Sequence, residues 1–395
     1  MSYSKYYLYK KQYSNDSGVT WYDVTPLEQV PSGNPIGTYE TLEECQGQTP
    51  PTPYENQYLT VVALDNCVMG VGFDEKYGDD GYYAAYSLDS GATWNYGFSN
   101  FDTGITTPLI SAGNKVMWKG GGGYNGTCGH SHLWVSGGTY NLEGNIMSML
   151  EGDYFSGATS FKSGSSENFI SLFGCGSAGC GLISAENLVL PATVLTDGCY
   201  KSLFWGQSNL IKVPKLPATT LAEGCYEGMF QGCSSLTTAP TLPATTLAIG
   251  CYFGMFNGCT SLTTAPQLPA TTLTSMCYLA MFGGCTSLTT APQLPATRLT
   301  GMCYLGMFAG CTSLTTAPQL PATTLANYCY EEMFSGCTNL NSITCLATDI
   351  SASYATTNWV NGVSSSGTFT KASSMSNWTT GTSGIPSNWT VQNAT

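Results

Sequence analysis

The dipeptide Leu-Pro recurs at Leu190, Leu216, Leu242, Leu268, Leu294 and Leu320, a constant step of 26 residues. Between these marks the chain nearly repeats itself: LPATTLAEGCYEGMFQGCSSLTTAPT runs without a gap into LPATTLAIGCYFGMFNGCTSLTTAPQ. Leu346 marks where a seventh copy would begin, and there the pattern decays. A fixed period of this size means that one supersecondary unit stacks on copies of itself to bury an apolar face it cannot bury alone. The expectation is a solenoid of six 26-residue repeats over 190–345.

One repeat reads as strand, turn and helix. Tyr226, Met229, Phe230 and Cys233 fall at i, i+3, i+4 and i+7, which predicts the apolar stripe of a short helix. Gly232, Gly258, Gly284, Gly310 and Gly336 then stand where a left-handed cap would end it. Leu236-Thr-Thr-Ala-Pro240 predicts a brief strand stopped by its proline, and Leu242-Pro243-Ala244 turns the corner before Leu247 points inward. The pattern MFxGCxSLTTAPxLPATTLxxxCY resembles the leucine-rich repeats of the BspA type, found in surface proteins of gut and oral anaerobes and in their phages. That resemblance implies a curved solenoid with an adhesive role and no cofactor.

The 17 cysteines suggest a disulfide framework until their spacing is read. Eleven form two ladders, Cys199, Cys225, Cys251, Cys277, Cys303 and Cys329, and Cys233, Cys259, Cys285, Cys311 and Cys337. A cysteine recurring once per repeat stacks on itself, where the thiol serves as a small buried hydrophobe; disulfides between repeats are the alternative. Cys175 and Cys180, outside the ladders, are the better disulfide candidates. Residues 151–189 carry Leu172-Phe173 in place of Met-Phe and read as a divergent N-terminal capping rung. Residues 346–395, with Trp359, Trp378 and Trp389, read as a C-terminal cap.

Ahead of the repeats the fold class is all-β. Residues 1–48 form a small β unit, with Tyr6–Tyr9 and Trp21–Val24 as paired strands; 49–57 are a Pro- and Gln-rich linker; 58–150 alternate short β-branched and aromatic runs with glycine turns, as in a β-sandwich. The whole chain is thus mainly β with short helices. Ser14–Trp21 and Ser87–Trp94 both match S-x-D-x-G-x-x-W, a hairpin turn in which Asp accepts backbone N–H bonds, Gly takes a positive φ and Trp packs beneath. Sialidases carry such boxes, but an arginine cluster would be needed for a substrate carboxylate, and Arg298 is the single arginine. The boxes read as scaffold, and a glycan hydrolase is disfavoured. Lys119-Gly-Gly-Gly-Gly-Tyr124 lacks the ending of a phosphate loop. His130 and His132 would share one face of a strand as half a metal site, without a third ligand.

Charge excludes one class of partner. Residues 1–189 hold 19 acidic and 7 basic residues, net −12, and 190–345 hold 5 and 4, net −1. Neither has the basic footprint that phosphates require, so no nucleic acid is expected. No apolar run is long enough to insert in a membrane. Met1 begins a segment with no apolar signal region, which points to release by lysis and so to a virion protein.

Differences between repeats mark the positions free to vary. Residues 222–224 and their equivalents read AEG, AIG, TSM, TGM and ANY; 227–228 read EG, FG, LA, LG and EE; 231 reads Gln231, Asn257, Gly283, Ala309 and Ser335. These fall on the helix side. On the strand side stand Thr237, Thr238, Thr263, Thr264, Thr289, Thr290, Thr315 and Thr316, with Gln267, Gln293 and Gln319 beyond the prolines. This neutral hydroxyl and amide face is the candidate contact surface for a host-surface glycan or protein, although threonine ladders are also good strand formers needing no ligand. The expectation is a non-enzymatic adhesion or structural protein on a virion surface, a phage fibre or capsid decoration. It would bind other virion proteins through its N-terminal region and, by analogy with fibres, form a trimer. A bacterial surface or secreted adhesin is the alternative.

Overall fold

The computed structural model describes only four strand segments before residue 54, and from Tyr54 onward all residues except 74–81, 100–103, 121–130, 163–164, 176–179 and 395. The chain divides into two compact units, Met1–Glu55 and Asn56–Thr395. The first contains β1 (Tyr6–Tyr9), β2 (Gln12–Ser14), β3 (Tyr22–Asp23) and β4 (Gly37–Tyr39) in one sheet of order β3-β2-β1-β4. The two strands expected to pair directly are separated by β2, which pairs Tyr13 with Tyr22 on one side and with Leu8 on the other. The expected linker lies outside the described residues as far as 53; at its end Gln57 already accepts a bond from Asn145 in the second unit.

The second unit opens with β5 (Leu59–Ala63), β6 (Val68–Phe73), β7 (Tyr82–Ser87), β8 (Asn95–Ser99), β9 (Ile105–Thr106), β10 (Lys115–Gly120), β11 (Ser131–Ser136), β12 (Tyr140–Asn145) and β13 (Leu182–Val189). They form a six-stranded sheet, β13-β12-β5-β10-β7-β8, and a three-stranded sheet, β11-β6-β9. Alternate residues of both sheets enter one apolar core: Leu59, Val61, Val116 and Trp118 from the first, Met69, Val71, Leu133 and Val135 from the second. The sole α-helix among the described residues is a single turn, α1 (Ser148–Glu151). The described chain is thus mainly β, with one short helix.

β13 joins this sheet to the repeats. It pairs in parallel with β12, Tyr140 opposite Leu182 and Asn145 opposite Val189, and Ser184 bridges in parallel to Lys212 of the first repeat. The front sheet and the array therefore share a single core cluster.

Within each repeat the expected helix is absent. From Gly224 the backbone N–H groups alternate between two targets. Gly224, Tyr226, Gly228 and Phe230 donate to Ile249, Cys251, Phe253 and Met255 of the next repeat at 2.8–3.0 Å, whereas Cys225, Glu227 and Met229 donate three residues back. A helix needs all of these donors for itself. Gly224, Gly228 and Gly232 have φ of 56°, 58° and 78°, so a left-handed residue recurs at every fourth position and turns the chain without winding it. Three glycines inside one helix would also cost about 3 kcal/mol relative to alanine. In the inner repeats the expected strand is likewise reduced to single bridges, Thr238 to Thr264 and Thr264 to Thr290, whereas the last repeat forms a strand there, Ser342–Cys345.

The inward residues still follow the expected stripe, because turns of four and a helix of 3.6 place i, i+3, i+4 and i+7 on one side. Tyr200, Tyr226, Tyr252, Tyr278, Tyr304 and Tyr330 stack ring on ring at 5.9–6.1 Å, and Phe204, Phe230, Phe256, Phe282, Phe308 and Phe334 at 5.5–5.8 Å. Phe169 and Phe173 begin both columns, stacked on Tyr200 and Phe204. At the far end Trp359 covers both, 6.2 Å from Tyr330 and 6.3 Å from Phe334, and Trp378 stacks on it at 5.5 Å. The turn pattern does not decay at Leu346. Tyr354, Asn358 and Gly362 repeat the left-handed positions, and β14 (Ser342–Cys345), β15 (Thr368–Lys371) and β16 (Thr390–Asn393) extend the parallel register.

Both cysteine ladders are buried free thiols, and Cys175–Cys180 is a disulfide. The Sγ–H of Cys233, Cys259, Cys285 and Cys311 donates to the phenylalanine carbonyl of the preceding repeat at 3.1–3.3 Å. Burial pushes these thiols up from an ordinary 9.0, Cys277 to about 11 and Cys199, Cys329 and Cys337 to about 12. Below the unfolded value both states hold the proton; above it only the unfolded chain releases it, so stability falls by about 1.4 kcal/mol per thiol per pH unit. Circular dichroism against pH is expected to show steep loss of the array between about pH 9 and 12. Thiol-reactive dye should label the ladders only in denaturant; labelling of the native chain would contradict their burial. Gly284→Ala, which puts a Cβ on a φ of 70°, should cost about 1–2 kcal/mol in urea unfolding.

Candidate binding faces of the repeat array

The side chains expected to make contact sit where inward and outward residues alternate after each turn segment. Leu236, Leu262, Leu288 and Leu314 are fully buried, and the threonine pair after each leucine is exposed. Thr237, Thr238, Thr263, Thr264, Thr289, Thr290, Thr315 and Thr316 thus all lie at the surface, as do Gln267, Gln293 and Gln319. Parallel bridges bring the second threonine of each pair into a row, Thr238 to Thr264 to Thr290, and Thr316 to Ser342. In the first row the Thr289 N–H and Oγ1 both donate to the Thr263 carbonyl, at 3.2 and 3.3 Å, so part of the hydroxyl capacity is spent on the array itself.

Two further rows were not singled out from the sequence. Thr219-Thr220, Thr245-Thr246, Thr271-Thr272 and Thr323-Thr324 of the Pro-Ala-Thr-Thr segments are equally exposed, with parallel bridges joining Val194, Thr220 and Thr246. Thr260, Thr286 and Thr312 donate their hydroxyls to the carbonyl one repeat earlier at 3.3–3.4 Å. The signal for all of them was the same 26-residue period. Such faces can exchange hydrogen bonds with neutral polar groups, because a hydroxyl both donates and accepts.

Of the other candidates, the second box is a closed set of bonds. In the second box Asp89 accepts from Thr93 N–H at 2.8 Å, Thr93 Oγ1 at 2.6 Å and Ser87 Oγ at 2.7 Å, while Gly91 takes φ 89°. Trp94 packs against Tyr58 at 4.8 Å and lies 4.2 Å beneath the Lys119 ammonium. Lys119, buried in its sheet, is neutralised by Asp153 at 2.7 and 2.9 Å, and Tyr58 donates its hydroxyl to the same carboxylate at 2.7 Å. The first box lies, apart from Ser14 in β2, outside the described residues, as does His130. His132 places Nδ1 3.2 Å from the Ser171 carbonyl, and no group of three metal-ligating side chains occurs among the described residues. No helix among them is long and apolar enough to cross a membrane.

The Thr93 bonds, first the side-chain and then the backbone one, hold the Asp89 carboxyl down from 3.8 to about 2. The box is therefore stabilised by its charged form above the ordinary value, and the stabilisation is lost as pH falls through about 2. The Thr93 amide resonance is expected to titrate near that value; a midpoint near 3.8 would place the carboxylate outside the turn. Compared with protein-family models, with curated proteins and with solved structures, the chain matches none.

Proposed function

We propose that residues 190–345 form a leucine-rich-repeat solenoid of the BspA kind in a non-enzymatic adhesion or structural protein carried on a virion surface. The observation that supports this most is the row geometry: identical neutral side chains, Thr238, Thr264 and Thr290, held in parallel register on a stack of fully buried rings. A stack in which each repeat is bonded to the next offers an extended, preformed face, and ordering that face costs little on binding. Threonine and glutamine there suit an uncharged polar target such as a host glycan. The repeats depart from the usual strand-and-helix rung in being built of turns and bridges, so the assignment rests on period and register instead of helix content. The front sheets belong to the same reading as an attachment region for other virion proteins, and trimer formation remains an analogy with fibres.

Mass spectrometry of purified phage particles from the source community tests the placement. Peptides of this chain are expected in intact particles in stoichiometric amount. Recovery from bacterial surfaces alone would replace the virion reading with that of a bacterial adhesin.

A further inference from the structure

The threonine rows are not where this chain differs from repeat to repeat. Differences gather on the turn face, at the first left-handed position and three residues beyond it. Gly198, Gly224 and Gly250 take the left-handed position in the early repeats, but the next four occupants are Met276, Met302, Tyr328 and Tyr354, with φ of 56–58°. Bulky side chains are disfavoured in that conformation, where glycine is at ease, and strain of this kind is characteristically retained at sites of function. Three residues on, Lys201 and Glu227 give way to Phe253, Leu279 and Leu305 before Glu331.

These positions adjoin one another. Met276 N–H donates to Gly301, Met302 to Asn327 and Tyr328 to Ser353, linking successive repeats at this point, and the Tyr328 and Tyr354 rings stack at 4.9 Å. Ile249, Phe253 and Tyr354 are 43%, 37% and 59% exposed, and Met276, Leu279, Met302 and Leu305 are part-exposed. An apolar strip therefore runs across the turn face of an otherwise hydroxyl-covered array. Acid stands near both ends, Asp197 and Glu223 in the two repeats before it, where Lys201 is paired with Glu227, and Glu331 and Glu332 between its last two members, Tyr328 and Tyr354. Burial and the charge of Glu332 raise the Glu331 carboxyl, so a cation brought there would be stabilising.

We propose that this strip is a second interaction surface, distinct from the threonine rows, that docks a polypeptide segment presenting apolar side chains flanked by lysine or arginine. A second copy of this chain fits poorly, because a twofold contact would set acidic ends against acidic ends. Methionine, leucine and isoleucine along most of the strip favour an apolar peptide over a sugar, which needs polar partners around its ring.

The test uses the full chain labelled at methionine methyls, titrated with an amphipathic leucine–lysine peptide and with its leucine–glutamate counterpart. The lysine peptide is expected to shift the Met276 and Met302 methyls and to leave the buried Met255, Met281 and Met307 unmoved. M276G/M302G should weaken it about tenfold without lowering the thermal midpoint, and E331Q/E332Q about fivefold. Unshifted Met276 and Met302 methyls, equal binding of the glutamate peptide, or a lowered midpoint in M276G/M302G would overturn the proposal. So would methyl shifts with maltoheptaose in place of the peptide, or concentration-dependent broadening of the chain alone. None of these outcomes touches the threonine rows or virion placement, so the two readings fail separately.

Discussion

Each repeat gives every second backbone N–H of its turn segment to the repeat that follows, and the rest of the structure depends on that bond. It commits alternate peptide groups to a partner 25 residues on, in the next repeat, so the chain can neither wind into a helix nor change its period without orphaning buried donors. The left-handed residue at every fourth position is the local condition for it. With the backbone held in this register, every side chain meets its own equivalent above and below. The tyrosine and phenylalanine columns, the two cysteine ladders and the threonine rows are consequences of one geometry, not separate designs.

Self-stacking also explains the composition. A charge at a repeated position would lie beside the same charge in both neighbouring repeats, which is destabilising. Neutral threonine, glutamine and proline therefore fill the exposed rows, and where charges do recur one repeat apart two pairs have opposite signs, Asp197 and Glu223 being the like-charged exception. Glu186 pairs with Lys212 at 2.9 Å and Lys201 with Glu227 at 3.0 Å, each pair 26 residues apart. Inside, cysteine suits the same rule, small enough to stack and able to donate weakly to a carbonyl that the turn leaves with spare capacity. The array ends where stacking must stop, on an indole large enough to cover two columns at once.

The front sheet is fastened by an extension of the same logic. β13 is at once the edge strand of the six-stranded sheet and the first course of the array, so one strand satisfies both sets of backbone groups. Phe173 to Leu182 is a step of 9 where Phe204 to Leu210 is 6, and the Cys175–Cys180 disulfide lies within that longer stretch.

Periodicity alone was enough to determine the repeat boundaries, the buried set Cys225, Tyr226, Met229, Phe230 and Cys233, and the exposed threonine pairs, because these depend only on which residues recur together. It could not distinguish a helix from a run of four-residue turns, since Tyr226, Met229, Phe230 and Cys233 face one way in both. What separates them is the destination of the N–H groups, and that lies one repeat away. The glycines at 224 and 228 carried the clue, but they mattered only beside Gly232, as a period of four. The final turn through Gly362 was hidden for the converse reason: its Ala355 and Trp359 abandon the consensus while its backbone keeps the register. Likewise only the tertiary structure could assemble the strip from Phe253 to Tyr354, because its members lie in different repeats and become neighbours through bonds between backbones, which side-chain identity does not encode.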